Sequence, residues 1–206
     1  MRKIYSEKLR VPQNFLLVLK ILLPLLYVCM LVFVFSNSLQ TGEESAETSS
    51  RVVDTVQAVV AWIAPQSPIA TATGEAYAKL HADIRTLAHF AEFALLGALA
   101  CGCCLVYGLD HKAKERTNGD KKQVMAKKKY LFIGLGSLAL VPLIDETLQS
   151  FTANRAAEWL DAAVDFSGGV VGFALVLSVF YVALRYKKHH ANKNIRQITE
   201  TATVTE

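Results

Sequence analysis

The sequence predicts an all-α fold: a polytopic membrane protein, a bundle of four transmembrane helices with an amphipathic helix on the extracytoplasmic side. Three observations predict it. Apolar residues make up 52% of the 206 residues and are gathered into four long runs, each about as long as a hydrocarbon core is thick. Lysine and arginine avoid those runs and alternate between dense and sparse in successive connecting segments. The few charged residues inside the runs, Lys20 apart, collect toward one end of each.

The first run, residues 15–35, has Lys20 as its one charge. As a helix rising 1.5 Å per residue it covers roughly 30 Å, one hydrocarbon core. It is too long for the apolar part of a signal peptide, and no small-residue cleavage site follows it, so it reads as a retained span. Lys20 is close enough to the near surface to snorkel. The second, third and fourth spans cover about residues 87–107, 130–148 and 162–184. Pro24 and Pro142 fall inside spans, where neighbouring helices can satisfy the freed backbone groups, so they predict kinks rather than breaks. The chain divides into an N-terminal segment (1–14), the four-helix domain (15–184) and a basic tail (185–206) that is polar and disordered after Lys193.

Orientation follows from the basic residues. The N-terminal segment holds four (Arg2, Lys3, Lys8, Arg10). The loop of residues 36–86 holds three (Arg51, Lys79, Arg85) against six acids. The loop of residues 110–129 holds eight, the third loop one (Arg155) and the tail five. This alternation places both termini and the second loop in the cytoplasm and the first and third loops outside. Lys127, Lys128 and Lys129 read as a topology anchor with some affinity for anionic lipid. The pattern argues for membrane lipids as partners and against nucleic acid. Cys29, Cys101, Cys103 and Cys104 lie in apolar runs without zinc-ligand spacing and read as small packing residues.

The first outer loop is not featureless. Val52, Val53, Val56, Val59, Val60 and Ile63 recur at helical spacing with Asp54 and Gln57 opposite, predicting an amphipathic helix over 50–64 lying at the membrane surface and ended by Pro65. A helical stretch over 75–86 continues into the second span, and "TGEES" before the amphipathic helix has the composition of a cap.

In this topology the polar residues converge. Arg85, His89 and Glu92 share a face of the second span near its outer end, at spacings of four and three. Asp145, Glu146 and Gln149 end the third span on the same side. Asp161, Asp165, Gly168 and Gly172 form one stripe at the start of the fourth, and the glycines offer a surface for close helix approach. Charges at membrane depth face the bundle interior, where they pair or meet water, so these residues predict one shared polar pocket. Two plainer readings stand beside it. Charges at helix ends can mark the membrane interface alone, and His89, Glu92 and Asp165 can form a structural salt-bridge network with Arg85 or Arg155.

Three blocks of residues resemble the VanZ-like family of small bacterial membrane proteins, named for a protein associated with low-level tolerance of the glycopeptide teicoplanin. The first is Phe35-Ser36-Asn37-Ser38-Leu39-Gln40 with the following TGEES. The second is Arg85-Thr86-Leu87-Ala88-His89-Phe90-Ala91-Glu92-Phe93 followed by Leu96-Gly97. The third is Asp145, Glu146, Gln149, Ser150, Phe151, Arg155, Asp161, Asp165, Gly168 and Gly172 in register. Asp165 stands where the family often has Asn, and Ala153-Asn154 stands where Pro-Gly often precedes the arginine. The resemblance implies a fold and a phenotype class rather than a reaction.

Two functions follow as expectations. One is an envelope factor that changes how glycopeptides accumulate or reach lipid-linked cell-wall precursors. The other is an enzyme acting on a lipid headgroup or polyprenyl-phosphate substrate. In the second, His89 is the base, tuned by Glu92, Arg85 and Arg155 hold phosphate, and a divalent cation sits among Glu92, Asp145, Glu146, Asp161 and Asp165. Ser36, Gln40, Gln149 and Asp161 complete the candidate ligand-binding set. A small transporter or a partner subunit is a third option, lowered by the lack of pseudo-symmetric halves. The residues name neither a cofactor nor a resident metal.

Overall fold

A computed structural model of the chain describes residues 13–114, 120–155 and 159–204. Arg2, Lys3, Lys8, Arg10, Arg116 and Glu158 lie outside the described residues. Among the described residues there are five helices and no strand: α1 (Gln13–Ser38), α2 (Gly42–Ile63), α3 (Gly74–Lys114), α4 (Asp120–Ser150) and α5 (Trp159–Val204). Four of them contain stretches long and apolar enough to cross a membrane: Gln13–Ser38, Gly74–Gly108, Lys129–Ser150 and Trp159–Lys187.

The helix backbone runs on through both Pro24 and Pro142. It also runs on past Lys193 to Val204, where the sequence pattern predicts a disordered tail. Nothing in residues 185–204 is glycine or proline, so no local signal stops the ladder of backbone bonds that the apolar span begins.

α2 starts four residues after α1 stops, and its start is set by local chemistry. Thr41 is the N-cap: its hydroxyl accepts from the Glu44 N–H (3.2 Å), and the Glu44 carboxylate accepts from the Thr41 N–H (2.9 Å). This reciprocal pair satisfies two backbone donors that no helical carbonyl can reach. The other end stops at Ile63 because Ala64 precedes a proline and is pushed out of the helical region.

α3 has 41 residues and so runs roughly 60 Å, twice the thickness of a hydrocarbon core. The surplus gives α2 a partner. Tyr77 donates to Asp54 at 2.9 Å, the His81 ring meets the Ala46 carbonyl at 3.3 Å, and Gln57 donates to the Ile69 and Ala72 carbonyls, both at 3.0 Å. These contacts run α2 antiparallel to the first turns of α3. The helix begins at Gly42, eight residues before the start that the apolar spacing predicts, and α3 supplies partners for the polar groups of α2 before its own apolar stretch begins. Val53 is fully buried, whereas Val52, Val59, Trp62 and Ile63 stay exposed.

The bundle interior is small. Val34, Phe93, Leu96 and Val141 form one buried cluster, and Ala100, Cys101, Leu138 and Phe173 a second, with Tyr27 packed against both. The large apolar side chains mostly face outward, Ile21, Val32, Phe132, Leu175 and Val182 among them. Water would not tolerate so continuous an apolar surface, and hydrocarbon does.

α3 and α5 make the most extensive helix pair, and their separation is fixed by glycine. A Cβ placed on Gly168 would overlap the Phe90 carbonyl oxygen, one on Gly172 that of Ala94, and one on Gly97 that of Gly169. All three obstacles are backbone, which cannot rotate away.

Two outcomes are expected. Gly172→Val forces α5 off α3 and lowers stability by about 1–3 kcal/mol, the usual range for overpacking, measured as loss of thermal stability in detergent. The second concerns Glu44, whose carboxyl is held below its ordinary value of 4.5 by the Thr41 N–H and then the Thr41 hydroxyl. The capping contribution is therefore complete above that ordinary value and is lost as the pH falls through the lower, folded one. Amide exchange in the first turn of α2, corrected for intrinsic rates, accelerates over that descent, and Glu44→Ala removes the pH dependence.

Candidate functional site

The site lies at the end of the bundle where α1 stops, α2 starts and α4 turns into α5. The turn is built from hydrogen bonds closed within four residues: Phe151 N–H to the Leu148 carbonyl (3.2 Å), Thr152 to Gln149 (3.0 Å) and Arg155 to Thr152 (3.4 Å). Asn154 takes φ = 58°, a left-handed conformation that asparagine adopts more readily than other side-chain-bearing residues. The turn then grips the junction of α1 and α2. The Gly42 N–H donates to the Ala153 carbonyl at 3.0 Å, and any side chain at residue 42 would overlap the Asn154 backbone. Thr152 donates to the Ser38 carbonyl at 3.3 Å. Arg155 reaches the carbonyls of Asn37 (3.5 Å) and Ser38 (3.4 Å) with one guanidinium nitrogen and the Ser45 hydroxyl with the other. Burial and then the like charge of Arg85 hold the Arg155 guanidinium below its ordinary range, which is high enough that it stays charged at neutral pH.

Beneath this strap lie the carboxylates. Asp145, in the last turns of α4, is fully buried, with each of its oxygens held: Oδ1 by the Ser38 hydroxyl, Oδ2 by the Gln149 amide at 2.8 Å. Glu146 and Gln149 beside it are buried as well. Asp165 on α5 is also fully buried, yet neither of its oxygens has a hydrogen-bond partner among the described residues. Across from it stands His89 on α3, whose Nδ1 is 3.8 Å from Asp165 Oδ1. One ligating atom from each of His89, Asp145 and Asp165 lies within 4.8 Å of the other two. Three helices thus bring an imidazole and two carboxylates to one point.

A cavity of about 290 Å³ opens beside that point. α3 lines it with His81, Arg85 and His89, four residues apart and so on one face, and α5 with Asp161, Val164 and Asp165. Basic and acidic walls face each other across it. Among the described residues, neither Arg85 nor Arg155 comes within ion-pairing distance of Asp145, Asp161 or Asp165, so salt bridges to arginine do not account for these carboxylates.

A family model described as VanZ/LLP1 matches residues 23–181, which include all of α2 and most of the four apolar spans. The chain belongs to the VanZ/LLP1 family. Together with its four apolar helices, this makes it a multi-pass membrane protein. Neither the comparison with curated proteins nor that with solved structures returns a match.

In this VanZ/LLP1 chain the residues singled out from the sequence fall into separate places. Arg85, His89, Asp161 and Asp165 line the cavity. Asp145 joins His89 and Asp165 in the cluster, Gln149 holds Asp145, and Glu146 is buried next to it. Glu92 is half-buried beside Asn37 and does not line the cavity. Gly168 and Gly172 meet α3. Arg155 holds backbone and Ser45 rather than facing the cavity, so its part is to fasten α1 and α2. Ser36 is exposed, and Gln40 is half-buried with its N–H on the Asn37 carbonyl (3.2 Å); neither lines the cavity. Ser38 and Ser45, which lie in the first resembling block, belong to the site without having been given a role there, and His81 belongs to it without being singled out by the sequence pattern. His81 is legible there, standing four residues before Arg85 on the same face; the two serines have no spacing signal and are placed only by the strap.

Arg155→Leu is expected to free the start of α2. Hydrogen bonds from a charged donor contribute about 1.5–3 kcal/mol, so amide protection over residues 42–50 falls by a corresponding amount while protection in the α3–α5 interior is unchanged. Hydrogen exchange followed by mass spectrometry reads both regions in one measurement.

Proposed function

We propose that this protein works in the bacterial cell envelope, with both termini in the cytoplasm and the His81–Arg85–His89 cavity opening on the extracytoplasmic side. There it binds the phosphate-bearing head of an envelope lipid or lipid-linked cell-wall precursor, and so alters tolerance of glycopeptides such as teicoplanin. The observation that carries this reading is the cavity itself. A basic stripe on α3 faces two carboxylates on α5 in about 290 Å³, room for a headgroup, at the end of a bundle whose flanks are bathed in lipid. Arginine and imidazole suit phosphate oxygens, and the acidic wall suits the amine or hydroxyl groups that headgroups and glycopeptides carry. The alternation of lysine and arginine along the chain supports the orientation.

A second reading is favoured by the His89–Asp165 contact at 3.8 Å: an enzyme acting on such a headgroup or a polyprenyl phosphate, with His89 as the base. The carboxylate orients the ring and stabilises the imidazolium once a proton is taken.

The test is a deletion strain complemented with wild type, Arg85→Gln or Asp161→Asn. Wild type is expected to restore teicoplanin tolerance and the surface level of labelled teicoplanin. The two variants, present in the membrane at wild-type level, are expected to leave the strain as sensitive as the deletion. Full tolerance in both variants would remove the cavity from the function, and a deletion strain with unaltered tolerance would remove the phenotype.

A further inference from the structure

Asp165 poses a problem that the headgroup reading does not solve. It is fully buried, and among the described residues neither of its oxygens accepts a hydrogen bond and the one basic group within ion-pairing distance is the His89 imidazole at 3.8 Å. A carboxylate taken out of water without partners is costly, and a bundle this rich in polar side chains has no shortage of candidates to supply them. Asp165 instead offers an oxygen where a ligating nitrogen of His89 and a carboxylate oxygen of Asp145 converge, all three atoms within 4.8 Å of one another.

We propose that His89, Asp145 and Asp165 bind one divalent transition-metal ion, of which zinc is the probe. In a tetrahedral site with metal–ligand bonds of about 2.0–2.2 Å the ligand atoms stand about 3.3–3.6 Å from one another. His89 Nδ1 and Asp165 Oδ1, at 3.8 Å, are already near that separation, and the Asp145 oxygen lies close enough to complete the trio by side-chain movement. A neutral imidazole and two carboxylates carry two negative charges, which a divalent ion balances. The imidazole favours zinc or iron over magnesium, calcium and manganese, which prefer oxygen ligands. Asp145 already has the outer support that ligating carboxylates need, with Ser38 on one oxygen and Gln149 on the other. Three protein ligands leave a position open, and because His89 and Asp165 also line the cavity, that position faces it. A phosphate oxygen entering the cavity can take it while Arg85 holds another. The site therefore assigns a substrate class, a phosphate ester or diphosphate bound across metal and arginine. It lies in the cavity of the proposed function but does not depend on the glycopeptide phenotype.

The test uses the full chain in detergent micelles, stripped with chelator, then titrated with Zn²⁺ and with Co²⁺ as a spectroscopic stand-in. The expected result is one saturable Zn²⁺ per chain in the presence of excess Mg²⁺, with X-ray absorption showing imidazole nitrogen and oxygen around the zinc. Affinity is expected to fall by at least about a hundredfold in Asp165→Asn and His89→Gln, by about 10–100-fold in Gln149→Leu, and not at all in Glu47→Gln on the exposed face of α2. Absence of saturable binding to wild type overturns the proposal. So does wild-type affinity in Asp165→Asn and His89→Gln variants that retain full helicity, or a zinc shell containing sulfur from Cys101, Cys103 or Cys104. Should those variants fail to fold, the absorption spectrum of the wild type decides: nitrogen and oxygen support the site, and a shell without imidazole rejects it. Zinc binding with unchanged teicoplanin tolerance would leave the metal site standing and the envelope phenotype not.

Discussion

The distance between α3 and α5 governs the rest of the molecule. At Gly168, Gly172 and Gly97 the two helices touch backbone to backbone, with no room for a single added carbon. Lipid gives no hydrophobic drive for helices to associate, so contact of this kind, with dispersion summed over a long close interface, has to hold the pair. The polar site inherits its dimensions from that contact. Asp165 lies one turn before Gly168, and His89 immediately precedes Phe90, the residue Gly168 rests on. Helices spaced by ordinary side chains would part the imidazole and the carboxylate by several ångströms. The glycines and the acid next to them are thus parts of one device: the first set the spacing at which the second can act.

A second constraint comes from the other direction. Buried carboxylates need partners, and α4 can deliver Asp145 only if its end is held against the other helices. The 151–155 turn does that holding, with Arg155, Thr152 and Ala153 bonded to Ser38, Asn37, Ser45 and Gly42. Most of these bonds use backbone carbonyls and amides freed by the helix ends, which would otherwise be unsatisfied. The end of α1 is tied twice, by its carbonyls to the turn and by the Ser38 hydroxyl to Asp145. The strap and the cluster therefore support each other, and neither is a separate ornament on the bundle.

Membership of the VanZ/LLP1 family accounts for the architecture, and this chain's own residues give the site its character. Asp165 adds a carboxylate at a position where the resemblance leads one to expect an amide, next to an imidazole and a second carboxylate. Asn154 fills a left-handed position for which glycine is the usual solution, and does so with an amide that reaches toward Glu43 at 3.5 Å. One substitution changes the chemistry; the other preserves the turn that frames it.

By itself the sequence determined the helical class, the four apolar spans, the capping composition of TGEES and the fact that polar residues crowd one end of the spans. Those features are local: run length, periodicity and capping chemistry are carried by neighbouring residues. The spacing of Asp145 and Gln149, and of Arg85 and His89, is enough to place each pair on one face of its helix. What only the tertiary structure decided is which faces meet. Helical spacing cannot tell whether Asp165 turns toward His89 or toward Arg155, that Glu92 stands off beside Asn37, that Arg155 serves backbone carbonyls, or that α2 leans on the first turns of α3. Each of these depends on the rotation and separation of helices distant in the chain, which the summed packing of the whole bundle sets and no single segment encodes.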